Sequence, residues 1–169
     1  EDPVLESGRE PLAGRPVVVG FGPAGMFSGL LLARQGYRPL IIERGRDVSS
    51  RHRDIMVDFY RDRIFNSESN LLFGEGGAGA YSDGKLHTRV NDPRVQIVLQ
   101  TLFQHGAYPG VLIDGKPHIG SDKFPGICRR IRLTIEMLGG EVHFGARLDG
   151  VEVHDGRLAA LAINGKKLS

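Results

Sequence analysis

Val17-Val18-Val19-Gly20-Phe21-Gly22-Pro23-Ala24-Gly25 runs from three β-branched residues straight into a G-x-G-x-x-G string. A continuously apolar, β-branched run suits a buried parallel strand better than a half-exposed one. The glycines mark a tight turn, and residues 24–35 read as a helix. Pro23 is tolerated in its first turn, Phe27, Leu30 and Leu31 are available for packing, and Gly36 stops it. Leu40-Ile41-Ile42 then makes a second apolar strand that ends on Glu43. Together they form a strand, helix, strand unit of about 30 residues, the size of a right-handed parallel crossover.

A glycine-rich chain meets G-x-G-x-x-G by chance, so the string alone is a weak signal. Here it follows a predicted strand, opens a predicted helix and is followed by an acid about 20 residues further on, which makes it strong. Gly20 permits the turn, Gly22 leaves room for a pyrophosphate against the backbone, and Gly25 lets the helix approach the strand. The helix start offers unpaired N–H groups and partial positive charge to phosphates; Pro23 removes one donor, so the remaining amides, those of Ala24 and Gly25 among them, must suffice. Glu43 would accept hydrogen bonds from the adenosine ribose hydroxyls and repel a 2′-phosphate. That favours FAD or NAD over NADP, a preference that Arg44 beside it softens. The competing reading is a structural crossover turn with a surface glutamate.

Working outward, residues 1–14 read as a connector and 15–169 as the N-terminal portion of an FAD-binding domain. Residues 49–65 fit a helix on Ile55, Met56 and Phe59, and 70–90 are loop-rich. A further helix begins with Asp92 as cap and Pro93 in the first turn and uses Val95, Val98, Leu99 and Leu102. Another runs from 121 or 122 to 138, with Phe124, Ile127, Cys128, Ile131, Ile135 and Leu138 on one face and Arg129, Arg130 and Arg132 on a solvated one. Strands follow over 141–144, 148–153 and 157–163, the last two joined by Asp155-Gly156. The chain opens on Glu1 and ends beyond an Asn164-Gly165 turn signal, as though a hairpin had been cut after its first strand, so it reads as a piece of a longer protein. The expected fold is α/β: a Rossmann-like FAD/NAD(P)-binding parallel sheet, an inserted helical and loop segment over 46–140 between its second and third strands, and a β-meander, with the C-terminal part missing. A long insertion followed by a meander fits FAD better than NAD, whose domains add the next strand after one short crossover.

The other informative segment is Phe73-Gly74-Glu75-Gly76-Gly77-Ala78-Gly79-Ala80-Tyr81-Ser82-Asp83-Gly84-Lys85-Leu86. Gly79 through Lys85 nearly spells a P-loop, but Leu86 stands where the magnesium-binding hydroxyl belongs. Ser82 sits as in a nucleophile elbow, but Ala80 replaces the first glycine of that motif. The third reading is a loop whose small residues bring backbone N–H groups close to a planar or anionic cofactor, with Lys85, His87 and Arg89 adding positive character. The bland alternative is a flexible surface loop.

The first motif with Glu43-Arg44-Gly45, taken with Phe73 to Leu86, resembles a family of bacterial FAD-dependent dehydrogenases of the glutathione-reductase-like superfamily. The resemblance runs from about Val17 to the end. It implies FAD held without a covalent bond by a split domain, with Gly76, Gly77, Gly79, Ser82 and Lys85 near the flavin side and backbone near Leu148 at the adenine. It also implies a later Gly-Asp motif and a substrate domain, which this sequence does not contain. An FAD-dependent oxidoreductase is the expected activity of the parent protein, moving hydride or electrons between an unidentified small molecule and flavin, with NAD(P)H as a candidate donor; the fragment by itself is expected to be inactive. The alternatives are a non-catalytic dinucleotide-binding module and an NAD-only dehydrogenase domain.

Composition narrows the remaining classes. The chain has 169 residues, a formal charge of +2 and charges of both signs interspersed, which gives no argument for nucleic acid or a membrane surface. Its expected partners are a small-molecule substrate and the rest of its own parent chain. One cysteine excludes an internal disulfide and any Cys-x-x-Cys reductase chemistry, and with no long apolar run a cytoplasmic setting is expected. Cys128 on an apolar helix face reads as core. The six histidines lack metal-site spacing, so no metal is expected. His87, beside the glycine cluster, is the one weak candidate for a proton donor.

Overall fold

The computed structural model describes Leu12 and residues 14–82, 84–86, 90–113 and 118–168. Most of the expected connector, with Asp83, His87 and Arg89, lies outside these residues.

Three short strands, β1 (Val17–Val19), β2 (Leu40–Ile42) and β3 (Glu141–His143), form a parallel sheet in the order β1-β2-β3. Val18 faces Ile41, which faces Val142. The ladder extends one residue past the strand ends, because Gly20 N donates to Ile42 O at 2.7 Å and Glu43 N to His143 O at 2.9 Å. Those two bonds fix Gly20 and Glu43 side by side at the carboxyl edge of the sheet.

Helix α1 (Pro23–Arg34) lies on the sheet and packs against α4 (Phe124–Met137). A Cβ at Gly29 would meet Ile41 Cδ1 at 2.4 Å and Ile135 Cδ1 at 3.5 Å, so the missing side chain is what lets sheet, α1 and α4 converge. On α4, Ile127, Ile131 and Ile135 recur every four residues and are all fully buried. Each such side chain contributes about 1.5–3 kcal/mol through burial. Phe21, Met26, Leu30 and Ile41 complete the same core.

The expected helix over 49–65 is two elements. Asp47 caps α2 (Val48–Arg53) by accepting from the amides of Ser49 and Ser50, and a π-helix (Asp54–Arg61) continues it. A short 3-10 turn (Ala78–Tyr81) follows the glycine cluster. Helix α3 (Arg94–Gln104) starts where expected, with Asp92 Oδ1 accepting from Arg94 N at 2.8 Å. The C-terminal strands β4 (Leu148–His154), β5 (Arg157–Ile163) and β6 (Lys166–Leu168) form an antiparallel meander. Both of its turns, Asp155-Gly156 and Asn164-Gly165, have positive φ at both central residues, as a type I′ hairpin needs. The residues after the second turn form β6, which pairs with β5.

One expectation fails on α4. Arg132 does not lie on a solvated face; its Nε donates to Oε1 of the fully buried Glu75 at 2.9 Å. Its guanidinium is turned inward, toward the buried carboxylate and the Phe144 ring at 5.6 Å, which periodicity alone does not distinguish from exposure.

Candidate functional site

A crevice of about 340 Å³ opens at the carboxyl edge of the parallel sheet, lined by Gly20, Gly22 and Gly77 at one end and by Glu43, Arg44, Phe73, Arg147 and Leu148 at the other. Its floor is made by the two glycine segments packed on each other. Gly76 N donates to Phe21 O at 2.9 Å, and a Cβ at Gly77 would stand 3.1 Å from Gly22 Cα. The second cluster is thus part of the site built by the first.

The three glycines of the motif are required for different reasons. At Gly20, φ is +90°, a conformation L side chains rarely adopt. A Cβ at Gly25 would lie 1.9 Å from Gly20 O, so only glycine lets α1 approach β1 this closely. Gly22 differs from both. Its φ of −74° suits any residue, and a Cβ there would meet nothing nearer than Gly77 Cα at 3.8 Å, an ordinary contact. No protein neighbour requires a glycine at 22; a side chain there would fill the crevice instead. The start of α1 has no side-chain cap, so the amides of Ala24 and Gly25 in its first turn have no helical carbonyl to bond. Uncapped amides beside a glycine cradle suit an anionic group such as a pyrophosphate.

Glu43 organises the crevice wall. It is 5% exposed, and its Oε2 accepts from Phe21 N at 2.7 Å while Oε1 accepts from Gly45 N at 2.8 Å and Gly74 N at 3.0 Å. A carboxylate has about four acceptor positions, so one remains for a group in the crevice. Arg44 donates from Nε to Glu68 Oε2 at 2.8 Å and lies over the Phe73 ring at 4.3 Å. Glu68 also receives Arg147 Nη1 at 3.2 Å, tying the loop to the start of β4. Its carboxyl is held below the usual range, first by the Arg44 bond.

Behind the wall, charged groups replace apolar packing. Arg51 is fully buried and donates to three carbonyls, those of Asn70 (2.8 Å), Leu71 (3.0 Å) and Glu75 (2.7 Å), with its guanidinium 4.9 Å from the Tyr81 ring. Burial lowers its pKa, yet a guanidinium stays protonated. Glu75 receives Val48 N at 2.8 Å besides Arg132. Burial raises the Glu75 pKa, opposed by those two bonds. These contacts hold the loop between Asn70 and Gly77 in the shape the crevice needs.

Cys128 lies beneath this loop: a Cβ at Gly76 would come within 2.8 Å of its Sγ. Burial, reinforced by Glu75, pushes the thiol up from its ordinary value near 9 to about 12, so it is a core group. Alkylation of the native protein by iodoacetamide at about pH 8 is expected to run roughly a thousandfold slower than after denaturation, following the thiolate fraction. Equal rates would contradict this placement. Because the folded pKa is the higher one, this group's contribution to stability is complete below the ordinary thiol pKa and is lost as pH rises toward about 12.

The structure brings Gly20, Gly22, Glu43, Arg44, Gly77 and Leu148 to the crevice lining. Pro23, Ala24 and Gly25 form the helix start beside it, and Gly76 lies under it. Gly79, Ser82 and Lys85 sit further along the chain: Ser82 Oγ donates to Gly79 O at 3.1 Å, and Lys85 pairs with His118 in an isolated bridge. Sequence reasoning missed Leu72, Gly74 and Arg147. Gly74 carried a usable signal, as the first glycine of the second cluster, and adopts φ +117° with its amide on Glu43.

These features define an α/β chain with a three-stranded parallel sheet, a separate antiparallel sheet and a crevice at the parallel strands' carboxyl ends. No protein-family model matches it. An uncharacterised protein of Clostridium beijerinckii is 47% identical over 165 residues, which are 98% of this chain and 31% of that protein. The chain thus spans about a third of the length of that relative. Among solved structures, the 3-ketosteroid-Δ4-(5α)-dehydrogenase of Rhodococcus jostii RHA1, in complex with 4-androstene-3,17-dione, matches with a TM-score of 0.54 at 15% identity, over 91% of this chain and 43% of that one. Thermovibrio ammonificans THI4 matches with a TM-score of 0.49 at 20% identity, over 88% of this chain and 46% of its own. The steroid enzyme shares the fold. Among the described residues no helix is long and apolar enough to cross a membrane, and no cluster of three metal-ligating side chains occurs.

Proposed function

We propose that the crevice holds the ADP portion of FAD in a Rossmann-type domain, and that the protein to which the chain contributes is a flavin-dependent oxidoreductase. The observation that carries this reading is the open space in front of Gly22, a position whose backbone would accept any side chain. The amides of Ala24 and Gly25 would hold the pyrophosphate, the remaining acceptor position of Glu43 a ribose hydroxyl, and Arg44 with Leu148 the adenine end. FAD, when bound, supplies the hydride or electron acceptor; this chain's residues bind and orient its nucleotide half. The shared fold with a steroid dehydrogenase supports an oxidoreductase and leaves the substrate of this protein unspecified. NAD(P)H is the proposed electron donor.

The protein at its full natural length is expected to be isolated yellow, with the absorption of oxidised flavin, and to bleach when NADH or NADPH is added without oxygen. A colourless preparation stabilised against heat by NAD alone would replace this reading with an NAD-only domain. A coloured one that no donor bleaches would leave a non-catalytic flavin-binding module.

A further inference from the structure

We propose that His105, Thr134 and Arg130 form a proton-operated latch where α1, α3 and α4 meet. It holds the end of α3 on α4 while the His105 ring is neutral and slackens when the ring takes up a second proton. His105 directly follows the last residue of α3, Gln104, and is 6% exposed. Its Nδ1 lies 2.7 Å from Thr101 O and its Nε2 3.1 Å from Thr134 Oγ1. Thr134 Oγ1 is also 3.0 Å from Arg130 O, and Arg130 Nε donates back to His105 O. The same guanidinium covers the next residue, since a Cβ at Gly106 would meet Arg130 Nη2 at 2.5 Å. Arg34, at the end of α1, reaches this turn by donating to Gln104 Oε1 at 3.0 Å.

Counting hydrogens shows that a neutral ring cannot make all of these bonds. A carbonyl only accepts, so the contact with Thr101 O fixes a hydrogen on Nδ1, and Nε2 of a neutral imidazole is then bare. Thr134 has one hydroxyl hydrogen, which can serve Nε2 or Arg130 O but not both. A doubly protonated ring removes the conflict: Nε2–H donates to Oγ1, and the hydroxyl turns to Arg130 O. The hydrogen bonds therefore favour the imidazolium, and its surroundings oppose it. Burial has the largest influence and lowers the ring's pKa from its ordinary 6.5, against the Thr101 bond, which raises it. The charged groups that bear on the ring are Arg34 from α1 and Arg130 from α4, both cations, and both lower it further.

Because the folded pKa is the lower one, the contribution of neutral His105 to stability is complete above 6.5 and is lost as pH falls through the range below. In that range a third cation enters a turn that two guanidiniums already approach. The segment from His105 to Ala107 takes the strain, because the bonds of His105 to Thr134 and Arg130 are what join it to α4. Nothing in the latch depends on which dinucleotide fills the crevice.

The test is a pH titration by NMR of the protein at full natural length with isotope-labelled histidine rings, the His105 ring being assigned through its own backbone amide. At about pH 8 the ring should be the Nδ1–H tautomer, and its protonation midpoint should lie below 6.5. Thr134→Val should lower that midpoint further and Thr134→Ser should restore it. Arg34→Gln should raise it, a change that burial alone does not produce. In chemical denaturation the urea midpoint of the parent should fall more between about pH 7 and pH 5 than that of His105→Gln. An Nε2–H tautomer, a midpoint at or above 6.5, or a midpoint indifferent to both Thr134→Val and Arg34→Gln overturns the latch. An equal loss of stability on acidification in the parent and a folded His105→Gln overturns it as well.

Discussion

Gly25→Ala is expected to destabilise the protein by at least about 3 kcal/mol and to leave little folded chain at 37 °C. The added Cβ would stand 1.9 Å from Gly20 O and 2.9 Å from Gly20 C. Both are backbone atoms, so no side-chain rotation relieves the clash. Gly20 cannot retreat easily, because its amide is bonded to Ile42 O and its φ of +90° is already committed to the turn. Relief therefore requires α1 to lift from the sheet, which exposes Met26, Leu30 and Ala33, none more than 2% exposed now. Chemical denaturation of the variant beside the parent protein checks this; a midpoint unchanged within error would mean that helix and strand are further apart than described.

Glu43→Ala carries the second large effect, a loss of about 3–6 kcal/mol. Three backbone amides, those of Phe21, Gly45 and Gly74, lose their acceptor together. Each unpaired buried donor costs about 1–3 kcal/mol, and the total falls short of the sum of the maxima because water entering from the crevice can reach some of them. Glu43→Gln should cost roughly half as much, since its carbonyl can still serve Gly45 and Gly74 while its amide faces Phe21 N, another donor. Amide exchange at Gly74 should speed up in both variants. Stability close to that of the parent in Glu43→Ala would show that the carboxylate does not hold the two glycine segments together.

How far these sites could be read from the sequence follows the range of the interactions. The β1-α1-β2 unit was legible because a β-branched run, a glycine turn and a helical period are all local, and Pro23 and Gly36 punctuate it. Both hairpins of the meander were foreshadowed by Asp155-Gly156 and Asn164-Gly165, yet the pairing of β6 depends on only three residues at the end. The π-helix was not legible, since Asp54–Arg61 shows the same apolar spacing as an ordinary helical turn. The inward roles of Arg51 and Arg132 were invisible for a different reason. Their partners lie 19 to 57 residues away, and composition treats a buried arginine and a solvated one alike. Glu43 was singled out for its position at the end of β2, but its service to Gly74 arises only once the second glycine cluster docks on the first.

The central claim is that a dinucleotide lies against the backbone at Gly22, and Gly22→Ala tests it most directly. The substitution fits an ordinary φ and meets only Gly77 Cα at 3.8 Å, so folding stability should stay within about 1 kcal/mol of the parent. Flavin affinity, measured by titrating the apoprotein at its full natural length with FAD, should fall by roughly ten- to a hundredfold as the methyl group takes the space of the pyrophosphate. A variant of unchanged stability that bound FAD as tightly as the parent would contradict the account.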